Sequence, residues 1–211
     1  MTGRTPVDDA VDALARGALV AFPTDTVYGI AARPDLPGAT DRLFGAKRRP
    51  RSLTLPILVA DVATARLVGA LDATAERAAA TWWPGPVTLI VPRTDRSRGW
   101  DLGDRRDTVG IRVPDEPLAL ELLRRTGPLA VTSANRTGED PGRTCDELVA
   151  TFGADVDVYL CSDEALIGVA SSVVDLTTSP ARLLREGTVS AEAVRRFMDG
   201  GDPLLDSGPL R

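Results

Sequence analysis

Three short segments contain residue types that bind anionic substrates. They are residues 22–29 (FPTDTVYG), 47–50 (KRRP) and 132–135 (TSAN). Each segment places hydroxyls, an amide or fixed cations where an apolar run has just ended. Because strand ends are where an α/β sheet presents its ligand-binding groups, we expect the three segments to meet at one site. Their hydroxyls and cations predict that the ligand is a nucleotide.

Each segment also has an interpretation without a ligand. Positions 47–51 hold four cations and no acidic residue, so their mutual repulsion favours a bound anion, but such a run is also typical of a solvated turn. A lysine point charge beside a planar arginine fork suits a triphosphate. The hydroxyls of Thr24 and Thr26 and the segment 133–135 equally fit helix caps or turns. None of these segments is a Walker A motif or a dinucleotide fingerprint.

Two further arginines lie in strand patterns. Arg112 follows Val-Gly-Ile, and a buried arginine requires an anion, which is either a ligand or a core ion-pair partner. Arg185 follows a second apolar run, where Glu186 or Asp175 could instead pair with it. The pattern leaves both interpretations open for each arginine.

Composition excludes several kinds of site. The 211 residues include no histidine, which rules out a Ser-His-Asp triad, a Cys-His pair and a His-ligated zinc site. The two cysteines are too few for a disulfide framework, and we expect free thiols in a reducing cytosol. With a net charge of −5, phosphate binding must be local. No secretory signal or membrane span is present in the pattern, so we expect a cytoplasmic protein without membrane contact.

Helical and strand patterns alternate along the chain, which predicts an α/β fold with a twisted mixed β-sheet flanked by helices. We assign residues 1–200 to one catalytic domain and residues 201–211 to a C-terminal tail. The doublet Trp82-Trp83 before Pro-Gly-Pro indicates a packed corner. The predicted helices cover 7–14, 41–46, 63–81, 118–125, 146–152 and 191–198, and the predicted strands cover 18–22, 55–60, 87–91, 108–113, 129–132, 156–160, 172–176 and 181–184.

The segments, in this order, resemble the YrdC-like family of L-threonylcarbamoyladenylate synthases, in the short form with a single domain. The similarity extends from about Gly17 to Ser190 and rests on six motifs. The family fold is a twisted mixed sheet with a large concave nucleotide-binding surface, which agrees with the alternation of helices and strands. The motifs are 23–29 (PTDTVYG), 47–50 (KRRP), 108–114 (TVGIRVP), 133–135 (SAN), 171–175 (SSVVD) and 185–187 (REG).

The resemblance implies an ATP-dependent reaction of L-threonine with bicarbonate that gives threonylcarbamoyl-AMP and pyrophosphate. The product would be used by downstream tRNA threonylcarbamoyl transferase proteins, which modify an adenosine next to the anticodon. The lack of histidine is compatible with this chemistry, since the threonine amine is the nucleophile and positioning plus charge neutralisation supply catalysis. We expect Mg²⁺ on the triphosphate, held mainly by ATP, and no metal site made by the protein.

The resemblance also assigns roles to individual residues. The expected catalytic residues are Lys47 and Arg49. The expected ATP contacts are Lys47, Arg49, Thr108, Ser133, Asn135, Pro141 and Arg185. The expected threonine contacts are Thr24, Thr26, Tyr28, Arg112, Val131 and Ser171, with Arg112 as the fork for the carboxylate. Three residues depart from the family pattern near threonine, namely Leu53, Leu58 and Ala170, where relatives commonly carry asparagine, histidine and an acidic residue.

Two alternatives are compatible with the sequence. One is a relative that adenylates another carbamoyl donor, such as carbamoyl phosphate, in a specialised pathway. The other is a non-catalytic RNA-binding module, which the net negative charge and the lack of aromatic residues near positions 47–51 disfavour. Weak RNA binding in addition to catalysis is left open.

Overall fold

The computed structural model describes residues 4–201, which form a mixed α/β fold around one nine-stranded sheet. The predicted fold class is confirmed. All but one residue of the predicted tail lies outside the described residues. The strands are β1 Val20–Phe22, β2 Gly29–Ala32, β3 Ile57–Leu58, β4 Val87–Pro92, β5 Thr108–Arg112, β6 Leu129–Ser133, β7 Val158–Tyr159, β8 Ser172–Asp175 and β9 Arg182–Arg185. The α-helices are α1 Pro6–Ala15, α2 Ala39–Lys47, α3 Val62–Val68, α4 Ala73–Trp82, α5 Asp95–Arg98, α6 Pro117–Thr126, α7 Cys145–Phe152 and α8 Ala191–Met198.

The strand order in the sheet is β7-β1-β2-β6-β3-β5-β4-β8-β9. Three neighbouring pairs are parallel, namely β1 with β7, β3 with β5 and β4 with β8, and the other five pairs are antiparallel. The sheet is therefore mixed. Among residues 4–201, no helix combines the length and apolar character that crossing a bilayer requires.

Helices cover the two faces of the sheet unequally. Helices α2, α3, α4, α7 and α8 pack against one face in the larger apolar cluster. On the opposite face, α1 and α6 pack together against β1, β2, β3 and β6 in a second cluster. Residues of β4, β5 and β8 that point to this second face contact neither α1 nor α6 in that cluster. This half of the face is open, which creates a concavity next to the segments identified from the sequence.

Helix starts follow local sequence signals. Thr5 caps α1, and its hydroxyl accepts from the backbone N–H of Asp8, whose carboxylate accepts from the Thr5 N–H in return. Asp61 and Asp72 cap α3 and α4 in the same manner with one bond each. These two caps explain why the predicted helix over 63–81 is wrong. The chain forms two helices there, separated by a short extended segment.

A glycine lies at the break between α3 and α4. Gly69 pairs with Arg93 in an isolated antiparallel bridge, and a Cβ at this position would collide with the side chains of Val91 and Ile111. The backbone must therefore approach the sheet where a continuous helix would keep it away. The alanine-rich pattern favours helix on both sides but contains no signal for this close contact. The sequence-based prediction also missed β2 and α5.

The Trp82-Trp83 doublet forms the packed corner that the sequence predicts. Trp82 ends α4 and its ring lies 4.6 Å from that of Phe197 in α8, measured between centroids. Trp83 is buried, and its indole N–H donates to the Val87 carbonyl oxygen at 2.7 Å. Both rings are part of the core, so neither is available to stack on a base.

The expectation of free thiols is wrong. Cys145 and Cys161 form a disulfide with their Cα atoms 5.5 Å apart, within the usual range for such a bond. The expectation rested on the small number of cysteines and on a reducing cytosol. It failed because the fold brings Cys145, the first residue of α7, beside Cys161 in the segment that follows β7. Near the disulfide, Arg143 Nε donates to the Leu166 carbonyl oxygen at 2.9 Å, and the Gly168 N–H donates to the Thr26 carbonyl oxygen at 3.2 Å. The disulfide therefore fixes a segment that contacts the 22–29 segment.

Replacing both cysteines with alanine should lower the free energy of unfolding by about 3 kcal/mol, because a disulfide that closes a loop of roughly this length stabilises by that amount. The two cysteines are 16 positions apart. Urea unfolding followed by tryptophan fluorescence, with and without dithiothreitol, measures the effect. Reductant should shift the midpoint of the oxidised wild type and leave the double variant unchanged. Equal midpoints for oxidised wild type and variant would contradict the stabilising role.

Candidate active site

A cavity of about 340 Å³ occupies the open half of the sheet face. Strand residues that alternate along β4, β5 and β8 form its floor, because successive side chains of a strand point to opposite faces. Gly110 lies at the centre, where a Cβ would come 3.1 Å from Thr88 Cγ2 and project into the cavity. The floor residues are Thr88, Ile90, Thr108, Gly110, Arg112 and Val173.

Most of the residues predicted to bind ligands line this cavity. These residues are far apart in the sequence. They meet because β2, β6, β3 and β5 are consecutive in the sheet although they are not consecutive in the chain. The nine are Thr24, Thr26, Arg49, Thr108, Arg112, Val131, Ser133, Ser171 and Arg185. Their individual roles toward a ligand stay predictions.

Four predicted site residues lie outside the cavity lining. Tyr28 is fully buried in the core, and its hydroxyl accepts from the Ser162 N–H at 2.9 Å. Asn135 donates from its amide to the carbonyl oxygens of Arg136 and Glu139, and Pro141 lies in the loop that follows. Lys47 is buried behind the loop that begins at Ser133. Lys47 and Asn135 hold Ser133 in the wall through hydrogen bonds, and direct ligand contact by all four residues remains a prediction.

Lys47 is the only lysine of the chain and is 1% exposed. Its ammonium donates to the Ser133 carbonyl oxygen and, at 3.1 Å, to Asn135 Oδ1. Burial, with a smaller effect of the positive charge of Arg49, lowers the pKa of Lys47 from 10.5 to about 7. An anion in the cavity would oppose this shift. Lys47 therefore connects the cationic segment to the wall that carries Ser133.

The segment 22–29 connects β1 to β2 through a turn, and Thr24, Thr26 and Val27 of this turn line the cavity. Thr24 Oγ1 donates to the Val27 carbonyl oxygen at 2.6 Å and lies 3.0 Å from Thr26 Oγ1. The turn interpretation of these hydroxyls is therefore confirmed, and both threonines line the cavity as well. The turn aligns Thr26 and Asp25 with the end of β5.

Arg112 forms a buried ion pair, which is the interpretation without a ligand that the sequence left open. Its Nη2 donates to Asp25 Oδ1 at 2.6 Å, its Nη1 to Thr26 Oγ1 at 2.9 Å, and its Nε to the Gly85 carbonyl oxygen at 2.9 Å. Burial lowers the pKa of the Arg112 guanidinium, and the attraction of Asp25 opposes that shift. Since a guanidinium has five N–H donors, two remain to bind a ligand. The ion pair and a ligand role are therefore compatible.

Arg49 and Arg185 also hold protein groups while they line the cavity. Arg49 donates to the carbonyl oxygens of Leu53 and Thr54 at 2.7 and 3.1 Å. Arg185 donates to the carbonyl oxygen of Ser171 and to its hydroxyl, and neither Glu186 nor Asp175 pairs with it as the alternative required. Burial lowers the pKa of both guanidinium groups, and the charge of Arg185 lowers that of Arg49 further. Both lack an acidic partner among the described residues.

The charge of the cavity is strongly positive. Of the cationic run, Arg51 does have acidic partners, because it pairs with Asp41 at 2.7 Å and with Asp101. The charge of Arg51 is therefore compensated by acidic residues that lie elsewhere in the sequence. The positive charge of the cavity is not compensated in this way, because in the described part of the chain no acidic residue lines the wall. The arginines that line it are Arg49, Arg105, Arg112 and Arg185.

Comparison with known proteins identifies the family. The family model described as Telomere recombination, which groups the Sua5, YciO and YrdC proteins, matches residues 12–187. The chain belongs to this family. It is 40% identical over 190 residues to a protein of Mycobacterium tuberculosis strain H37Rv, covering 90% of this chain and 87% of that protein. It is 37% identical over 174 residues to the threonylcarbamoyl-AMP synthase of Chromohalobacter salexigens, covering 81% of this chain and 92% of that enzyme.

Solved structures agree with this family assignment. The crystal structure of Pyrococcus abyssi Sua5 complexed with L-threonine superposes with a TM-score of 0.83 at 32% identity, covering 93% of this chain. The present chain spans 58% of that protein's length. Escherichia coli YciO superposes with a TM-score of 0.81 at 24% identity over 88% of this chain and 92% of YciO, which shows a shared fold.

Leu53, Leu58 and Ala170, which the resemblance marks as departures from the family pattern, all lie in the cavity wall. Leu58 is buried and pairs in register with Arg112 across β3 and β5. Leu53 is 45% exposed at the opening, and Ala170 precedes Ser171. The three side chains make these parts of the wall apolar. Their effect on threonine contacts stays a prediction.

Sequence reasoning missed several residues that line the cavity. Ser52, Thr54 and Arg105 lie in loops, where no pattern distinguishes a wall residue from a solvated one. Thr88 alternates with apolar residues in β4, and Gly110 interrupts a strand, which is a known sign of close approach by a ligand or another chain segment. Only the last two carried a usable signal. Within the described part of the chain, no cluster of three or more acidic, cysteine or histidine side chains could hold a metal ion.

Proposed function

We propose that this protein is a threonylcarbamoyl-AMP synthase that uses ATP, L-threonine and bicarbonate. The observation that carries the proposal is a cavity lined by four arginines, three of which have no acidic partner among the described residues. Such a wall favours a ligand with several negative charges. A Sua5 protein whose structure contains L-threonine supports threonine as a substrate, and relatives named threonylcarbamoyl-AMP synthase support an AMP-linked product.

The chemistry needs positioning and charge neutralisation more than proton transfer. The threonine amine and bicarbonate give a carbamate with loss of water. A carbamate oxygen then attacks the α-phosphorus of ATP, and the bond from that phosphorus to the bridging oxygen breaks to release pyrophosphate. Negative charge accumulates on the phosphates during this step, so fixed guanidinium groups stabilise the transition state. A histidine base is unnecessary.

The two ends of the cavity suit the two substrates. Arg112, with two free donors beside the hydroxyls of Thr24 and Thr26, would bind the threonine carboxylate. Arg49 and Arg185 would bind phosphate oxygens, with Thr108 and Ser133 supplying further polar contacts. Ser171 lies between these groups, since its hydroxyl contacts both Arg185 and, at 3.0 Å, Thr88. This division supports an arrangement in which the carbamate reaches the α-phosphorus.

Magnesium is part of the proposal as a partner of ATP. Without carboxylates in the described cavity wall, the ion would be held mainly by the phosphates and water, as is usual for Mg²⁺ on nucleotides. We further propose that the product passes to tRNA threonylcarbamoyl transferase proteins in the cytoplasm, and that residues 1–200 form the catalytic domain. Each of these statements rests on the family and the chemistry of the site.

A pyrophosphate-release assay tests the activity. With ATP, Mg²⁺ and bicarbonate, the purified protein should release pyrophosphate only when threonine is added. Arg49→Ala, which removes a proposed phosphate contact, should lower the rate by roughly 100-fold, the size of effect seen when one charge-stabilising donor is lost. Release that is independent of threonine, or none at all, would contradict the proposal. Release that instead requires carbamoyl phosphate would identify the carbamoyl-adenylating alternative.

A further inference from the structure

Arg105 differs from the other arginines of the cavity. Arg49, Arg112 and Arg185 each use part of the guanidinium to hold protein atoms. The Arg105 side chain lines the cavity but donates to no described residue, and it has no ion pair. All five of its N–H donors are therefore free to bind a ligand.

The loop that carries Arg105 is held by a buried arginine. Arg93 is 2% exposed and donates through Nη2 to the Arg105 carbonyl oxygen at 2.9 Å and through Nε to that of Thr108 at 3.0 Å. Its Nη1 donates to the carbonyl oxygens of Ser97 and Trp100. Arg93 thus donates only to backbone carbonyls, which belong to α5, to the loop after it and to the first residue of β5, and it makes no carboxylate contact within the described part of the chain. The backbone at Arg105 is consequently fixed before any ligand arrives.

The same loop is joined to the segment that carries Arg49. The Leu55 N–H donates to the Leu102 carbonyl oxygen at 2.8 Å, and the Asp104 N–H donates to that of Arg51 at 3.0 Å. Gly103 has a φ of +112° and lies against Arg51 and Phe44, so only glycine fits this contact without strain. Arg49 and Arg105 therefore extend into one cavity from two loops that are bonded to each other.

The position of Arg105 separates it from the threonine end. Thr108 and Arg112 are the first and last residues of β5, so about 13 Å of strand lies between them. Arg105 precedes Thr108 by three residues, at the end of the cavity opposite Arg112 and Asp25. A threonine bound at Arg112 would therefore lie near the opposite end of β5 from the Arg105 backbone. A triphosphate, whose charge is concentrated at its terminal phosphates, has both the length and the charge.

We infer that Arg105 binds the terminal phosphates of ATP and so holds the pyrophosphate leaving group together with Arg49. This inference rests on the proposed function, because it assigns one part of the ATP to one residue. The backbone of Arg105 is fixed, while its guanidinium is exposed and not bonded to any described residue. Such a side chain suits a role in which it binds a polyanion and then releases pyrophosphate.

Calorimetric titrations of pyrophosphate, ATP and AMP test this assignment. Arg105→Ala should weaken binding of pyrophosphate and ATP by roughly tenfold, the low end for a charge-assisted hydrogen bond because the site is open to water, and should change AMP binding by less than about twofold. Arg106→Ala removes the same charge from the adjacent position, which does not line the cavity, and should leave all three ligands unaffected. Arg105→Lys should give an intermediate loss.

Each outcome of these titrations decides the assignment. Unchanged pyrophosphate binding in Arg105→Ala overturns it, and so does an equal loss in Arg106→Ala, which would indicate a general effect of net charge. Equal weakening of AMP and ATP also overturns it, because Arg105 would then contact the nucleoside or the α-phosphate. If the wild type binds ATP but the variant is unaffected, only this inference fails. If the wild type binds neither ATP nor pyrophosphate, the proposed function fails with it.

Discussion

Replacing Arg112 with lysine should weaken threonine binding by about 1 to 3 kcal/mol and change ATP binding much less. The guanidinium uses three donors on Asp25, Thr26 and the Gly85 carbonyl oxygen, which fixes its orientation and leaves two donors for a ligand. An ammonium keeps the charge but cannot hold these groups and a carboxylate in one plane. Calorimetric titration of threonine, well below the melting temperature, measures the loss. Arg49→Ala should show the opposite selectivity, with ATP binding affected more.

The ion pair with Asp25 requires a matched control, because Arg112 also stabilises the fold. Arg112 and Asp25 are both largely buried, with side chains 6% and 14% exposed. Removing one partner of such a pair costs about 3 to 5 kcal/mol of stability, so Arg112→Ala is expected to unfold more readily. Asp25→Asn disrupts the same pair while it keeps the guanidinium. If Asp25→Asn and Arg112→Lys weaken threonine binding equally, Arg112 acts through the fold, and its role in binding the carboxylate is refuted.

The fold class was predictable because its signals are local. Short apolar runs such as those that became β1 and β6 alternate with helical patterns, and this alternation indicates a sheet covered by helices. The order of the motifs also carried the family assignment. The break at Gly69 was not predictable, since the reason for it is a close contact with Val91 and Ile111 on other elements. Only the folded chain contains that information.

The site was predictable as a set of residue types but not as a set of contacts. Arg112 and Asp25 are 87 positions apart, and the partners of Arg51 are Asp41 and Asp101, so their pairing depends on the sheet order. The cysteine pair became a disulfide for the same reason. Arg105 carried no pattern at all, because its significance comes from a loop fixed by a buried Arg93. Sequence patterns do not indicate which distant residues form ion pairs, hydrogen bonds or a disulfide around the site.

Burial of the Lys47 ammonium should make the free energy of unfolding depend on pH. Its pKa is about 7 in the folded protein and 10.5 ordinarily, so between these pH values the unfolded chain binds more protons than the folded one. The free energy of unfolding of the wild type should therefore rise with pH across this window. Below pH 7 the ammonium is present in both states, and the cost of burying it is fully felt. Lys47→Met should remove this contribution, as measured by urea unfolding at a series of pH values.

At pH 7, Lys47→Met should lower the activity without lowering the stability. The variant no longer buries an ammonium, so we expect it to be at least as stable as the wild type. Phosphates near Lys47 should raise its pKa, so the wild type takes up a proton on binding ATP, and its affinity falls as pH rises through 7.

A change in pH dependence between the wild type and the variant can be assigned to Lys47, because the chain has no histidine and no other lysine. The α-amino group and Tyr159, whose pKa burial raises above its ordinary value of 10.0, also titrate in or near this range, but the variant retains both and they cancel in the comparison. We expect Lys47→Met to lose about 100-fold or more in rate and to lose the pH dependence of ATP affinity. Calorimetry in buffers of different ionisation enthalpy measures the proton uptake directly. A variant that loses stability and activity together would instead mean that Lys47 serves to hold Ser133 and Asn135 in place.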